Sequence, residues 1–330
     1  MRKCKFLINC VTLLLIAVVV AVVIVSRRCR QALPLLEVSV VASSSEVRVK
    51  AVEHNSAANV ATAAPDASRA VAIICGKDPA TSNRYEARND ALRSIARRRD
   101  LPEKDVAALM TYLQSPKDRL RPERIAALKN DVMNLLRNQE PPPKGLTETL
   151  MGMFEGNSST HNSPTHPHPP AVFDYCIQHL GAMQGEITDD SLRRRIRETF
   201  VLAARQTRQP YAGTALYSIA QDKRASLSQK NELKRLTIAL CKQGSHPVAR
   251  VSAIQLAGER GYKEILPILR KTLSSARRDA VLDIVSIGSL GLLGDESDLE
   301  LLSQFSSDTR RSVAVKAAIK RIKERAGAKR

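Results

Sequence analysis

A punctuation of helix breakers that repeats constrains this chain more than any other feature. Pro170, then Ile177-Gln178, then Gly181 is matched by Pro247, Ile254-Gln255 and Gly258 at a constant offset of 77. Gly258, Gly261, Leu266 and Leu269 return as Gly291, Gly294, Leu299 and Leu302, each 33 positions on, and Ala253-Ile254 returns as Ala318-Ile319 after 65. Between the breaks, apolar residues fall at helical spacing: Val106, Leu109, Met110 and Leu113; Ile125, Leu128, Val132, Leu135 and Leu136; Leu192, Ile196, Phe200 and Ala203; Val315, Ala318, Ile319, Ile322 and Ala326. Such stripes are core-facing helix surfaces. Pro102, Pro116, Pro122, Pro170, Pro210 and Pro247 sit near expected helix starts, and Gly181, Gly258, Gly261, Gly291 and Gly294 near expected ends. Thr188-Asp-Asp-Ser191 supplies caps for the helix of Leu192. A period of about 33 to 40 residues with two helices each is that of an α-solenoid, in which no unit buries its apolar face alone.

The segment HPVARVSAIQLAGERGYKEILPIL (His246–Leu269) resembles a HEAT repeat. Pro247 matches the first-helix proline, Arg250 the basic position after it, Ala253 the small packing residue, and Gly258 with Gly261 the turn within the repeat. DAVLDIVSIGSLGLLGDESDLELL (Asp279–Leu302) resembles the next repeat, with Leu290-Gly-Leu-Leu-Gly-Asp295 as its turn. The resemblance is good over 246–327, fair over 168–245 and weak over 84–154, with units starting near 84, 122, 170, 210, 247, 279 and 312. It implies an all-α fold of antiparallel helix pairs stacked as a HEAT-like superhelix, and an architecture rather than one activity.

Ahead of this body lies Phe6 to Ser26, 21 residues without a charge. As a helix it is about 31 Å long, the thickness of a hydrocarbon core. Arg27, Arg28 and Arg30 follow at once, so the run reads as an uncleaved single-pass anchor rather than a signal peptide, whose apolar region is shorter. Arg2, Lys3 and Lys5 nearly balance them; the free amino group tips the orientation toward the N-terminus in the cytoplasm and the body outside. The expected layout is an anchor over 1–30, a flexible Ala/Ser/Val-rich tether over 31–82 with a short strand at Val47–Ala51, helical hairpins over 83–155, a Pro/His/Ser-rich linker loop over 156–170 that splits the array, and the HEAT-like domain over 171–330.

No catalytic, cofactor or metal site is expected. His161, His166 and His168 lie close together, but no nearby acid or cysteine completes a ligand set, so they read as a solvated loop. His179 and His246 read as helix-end or surface histidines. There is no GxSxG, P-loop, HExxH or GxGxxG after a strand, and Asp189-Asp190 precedes a helix as a capping feature. The cysteines show no CxxC spacing; Cys176 and Cys241 fall in helical patterns, where a thiol acts as a small hydrophobe.

The net charge is +19, of which +14 lies beyond residue 80. Such an excess attracts polyanions. Arg193, Arg194 and Arg197 share one helix, with Arg194 spaced to pair with Glu198; Arg277-Arg278 and Arg310-Arg311 stand 33 residues apart, at equivalent places in successive repeats. These seven arginines are the candidate sites for a nucleic acid or other polyanion; the structural reading of the same ladder is inter-repeat or surface ion pairs. The leading expectation is a membrane-anchored scaffold that binds a protein partner without catalysis; the alternative is a basic solenoid that binds a polyanion through the repeated arginines.

Overall fold

Helix starts follow local chemistry. The computed structural model describes residues 66–116, 118–158, 168–276 and 279–328. Among them run fourteen α-helices, in seven successive pairs: α1 (Ala67–Ile74) and α2 (Tyr85–Ile95), α3 (Glu103–Gln114) and α4 (Pro122–Arg137), α5 (Leu146–Ser158) and α6 (Pro170–Met183), α7 (Asp190–Arg205) and α8 (Ala212–Ala220), α9 (Leu227–Cys241) and α10 (Pro247–Arg260), α11 (Leu266–Leu273) and α12 (Ala280–Leu293), α13 (Leu299–Ser303) and α14 (Ser312–Gly327). Prolines open α4, α6 and α10, where a missing N–H costs nothing. Asp189 caps α7 by accepting from the backbone N–H of Ser191 and Leu192 at 2.8 and 3.3 Å, and Asp279 caps α12 in the same way. Ser226 and Gln229 form a reciprocal capping box on α9.

The described residues are all-helical, and among them no helix is long and apolar enough to cross a membrane. The apolar run 6–26 and the expected strand at 47–51 lie outside the described residues. Each odd-numbered helix packs on the even one that follows it. The even helices also pack in series, α2 on α4 and so on to α14, while α1, α3, α5 and α7 form a second series. All belong to one compact unit, Thr62–Arg330. α10 joins α11, its expected hairpin partner, through the 3-10 turn Lys263–Ile265 and packs more broadly on α8, α9 and α12.

Small residues set the approach of the even helices. A methyl group placed on Gly181 of α6 would lie 2.6 Å from the Ser218 hydroxyl of α8, and one on Gly258 of α10 would lie 2.7 Å from the Ser289 hydroxyl of α12. On Gly213 of α8 it would meet the Ala249 Cα of α10 at 3.0 Å; on Gly291 of α12 it would meet the Ala318 Cα of α14 at 2.7 Å. Early residues meet early ones and late meet late, so successive even helices run parallel. Gly181, Gly258 and Gly291 lie near helix ends as expected, each within the last turn, and there close contact needs an absent side chain. Gly261, with φ +73, is the residue that ends α10.

Two boundaries move. Residues 67–74 fall in the expected tether but form α1, capped by Asp66 and burying Ala67, Ala70, Val71 and Ile74. The segment 156–170 does not separate the helices on its two sides: α4 and α5 both pack on α6. Phe154 of α5, Phe173 of α6 and Tyr211 ahead of α8 meet edge-to-face there, with ring centroids 5.6 to 6.3 Å apart.

Candidate interaction surface and buried polar sites

The sequence-derived arginines do not share one environment. Arg311, at the start of α14, is buried and donates to Asp283 of α12 and to Asp308. Arg197 of α7 is buried, with Asp222 and Glu232 each 3.8 Å away and the Gln229 carbonyl at 3.2 Å. Arg193 is held by Asp190 at 2.7 Å. Arg194 and Arg310 are exposed; the expected Arg194–Glu198 pair is not among the ion pairs of the described residues. Arg277 and Arg278 lie outside the described residues. The 33-residue register therefore points Arg311 into an interhelical ion pair rather than outward. Desolvation favours this, because a buried carboxylate such as Asp283 needs a counter-charge.

A second buried arginine ties the first two helix pairs together. Arg88 of α2 is 1% exposed, gives a bidentate pair to Asp118 at 2.8 and 2.9 Å, and donates from Nε to the Ile74 carbonyl that ends α1. The Tyr112 ring lies beneath the guanidinium and its hydroxyl donates to Asp118. Burial alone would raise the Asp118 carboxyl, but the hydrogen bonds and charge of Arg88 hold it below its ordinary range.

His168 is buried rather than solvated. Lys129 of α4, itself fully buried, donates to the carbonyls of Leu113 and Ser115 at 2.7 and 2.6 Å, and its Nζ lies 3.2 Å from His168 Nδ1. The ammonium thus satisfies the C-terminal carbonyls of α3, with the imidazole as its third acceptor. Burial lowers the Lys129 amine to about 8, and burial together with the Lys129 charge lowers His168 to about 4. His179, inside α6, is also buried, between Arg137 and Asn130 at 3.2 Å each, and burial lowers it to about 4. Every Lys129 proton has a partner, so this cluster is a structural joint. Polar neighbours were out of reach of sequence reasoning, since each lies 14 to 49 residues away. His246 is a helix-end residue as expected; its ring accepts from Val248 N–H at the start of α10. His161 and His166 lie outside the described residues, and among those described no three ligand-type residues converge on a metal position.

The surface that stands out is apolar and belongs to the even helices. Val248, Val281 and Val313 hold the second position of α10, α12 and α14, 33 and 32 positions apart, and are 42%, 53% and 76% exposed. Along α12 the outward stripe continues through Ile284 and Val285, both half-buried, past Gly288 to Leu292 at 40%. A helix with one wet face ordinarily carries charges there. The wet face of α12 carries none, because its one charged residue, Asp283, points inward to Arg311. The recurring valine one residue after each helix start was the sequence signal for it. No protein-family model matches the chain, and no curated protein matches it.

Proposed function

We propose that the helix pairs form a HEAT-like α-solenoid that binds a protein partner through the outer face of its last three even helices, and that the apolar run 6–26 holds this scaffold at a membrane. Packing of each even helix on the next, with small-residue contacts at the four crossings from α6 to α14, supports the repeat reading. The row of exposed valines, continued by the uncharged stripe of α12, is the single observation that carries the binding reading. An apolar strip of this length costs free energy in water and gains it when covered.

A photo-crosslinking residue at position 281 or 313 of the full chain, expressed in cells, tests the reading. Discrete adducts are expected from these positions and not from position 271 on the exposed side of α11. Val281→Glu with Val313→Glu should remove the adduct formed at position 248 while leaving the melting temperature unchanged. Equal labelling from 271, or an adduct indifferent to the two glutamates, overturns it.

A further inference from the structure

The ends of α6, α8 and α10 and the first turns of α7 and α9 surround a cavity of about 930 Å³. Arg193, Lys223, Arg224, Lys230 and Arg260 line it, against one carboxylate, Asp222. That carboxylate already faces Arg197. Helix C-termini draw cations for structural reasons, and Arg260 meets that need by donating to the Ala220 carbonyl at 2.6 Å. Lys223, Arg224 and Lys230 do not: their exposed side chains make no hydrogen bond or ion pair among the described residues. Like charges gathered round one hollow repel, and an anion between them removes that repulsion.

A second observation points the same way. Gln184, in the cavity wall, is 6% exposed and its Nε2 has no acceptor. Arg193 Nη1, in the same wall, also has none, while its Nη2 is held by Asp190. Buried donors are normally matched, so the wall has donors to spare. Phosphate oxygens are acceptors only, and the guanidinium fork fits them in pairs. No aromatic side chain lines the cavity, and a bounded hollow offers no track for a nucleic-acid strand.

We infer that this cavity binds a compact polyphosphorylated group. Its oxygens accept from Arg193 and Gln184, and Lys223, Arg224, Lys230 and Arg260 balance its remaining charge. The group can be a soluble polyphosphate or the headgroup of an inositol lipid, and the two are separable. Calorimetry on the purified full chain in detergent uses inositol hexakisphosphate; flotation uses phosphatidylcholine vesicles with and without phosphatidylinositol 4,5-bisphosphate. Saturable binding of the soluble probe alone assigns the free source, and recovery only with the phosphoinositide vesicles assigns the lipid. Arg224→Glu with Lys230→Glu, both at the surface, should weaken binding at least about tenfold. Lys316→Glu with Arg321→Glu, the same charge change on exposed positions of α14, should weaken it less than about twofold. Gln184→Leu should weaken it without altering net charge. Equal losses in the two charge-reversed pairs mean diffuse attraction and overturn the inference, as does failure of both probes to bind the wild-type chain.

Discussion

Arg311 donates from Nε and Nη2 to a single oxygen of Asp283, at 3.0 and 2.8 Å, and so fastens α14 to α12. The carboxylate is 1% exposed and the guanidinium 10%. Removing one partner strands a charge, whereas removing both replaces the pair by apolar contact. Arg311→Met leaves the buried Asp283 without its counter-charge and should therefore lower stability by about 3 kcal/mol, and adding Asp283→Leu should restore most of it. Denaturant midpoints of the two variants and the wild type check this; a double variant no better than the single one refutes it.

The glycines of α12 should respond in opposite senses. Gly291→Val forces a branched side chain against the α14 backbone and should cost about 1 to 3 kcal/mol. Gly288, on the same helix, has nothing within 4 Å of an added methyl. Gly288→Ala should raise stability by up to about 1 kcal/mol through helix propensity. Thermal melts of both variants decide it.

Acid should loosen the first half of the helical unit. His168 and His179 are held near 4 against an ordinary value of 6.5. Between these values the unfolded chain binds protons that the folded chain refuses, so stability falls as pH falls through that window. Lys129 behaves likewise higher up: from its ordinary 10.5 down to about 8 the unfolded amine is charged and the folded one is not, so its contribution diminishes as pH falls across that range. Unfolding midpoints at pH 7 and pH 5 should differ, and His179→Gln should narrow the difference. A flat profile contradicts the buried, neutral imidazoles.

The thiols of Cys176 and Cys241 are free and buried, and burial pushes each up to about 12. Thiolate is the reactive form, so both should resist alkylation at neutral pH until the helices open. Peptide mapping after iodoacetamide treatment should show them modified only at the unfolding rate, and rapid labelling in the native state would contradict their placement.

Those features that depend on neighbours in sequence were legible. Pro170, Pro247 and the Asp189 cap announce helix starts because the chemistry of a first turn is local. Gly258 and Gly291 stand near helix ends as expected, but their part in the helix crossings was not legible, because a turn and a tight crossing ask for the same absent side chain. α1 was missed because an eight-residue Ala-rich run looks like a linker until Arg88, 14 residues from Ile74, takes its last carbonyl. His168 was misplaced because Pro, Ser and His around it suggest solvent, while the partner that buries it is Lys129, 39 positions back. The spacing of Arg311 left an inter-repeat ion pair and a polyanion contact both open, because the partner that decides it, Asp283, lies 28 positions away. The valine row was visible as spacing, but its exposure depends on which face the neighbouring helices leave uncovered.

The four glycine crossings of the even helices also govern how this chain can diverge. The exposed faces of the odd-numbered helices can exchange side chains more freely. At positions 213, 258 and 291 an added methyl meets the backbone of the next helix at 2.7 to 3.2 Å, so enlargement there pushes two helices apart and displaces what packs beyond them. Inherited variation must pass around these points, so a descendant can acquire a new surface far more readily than a new spacing.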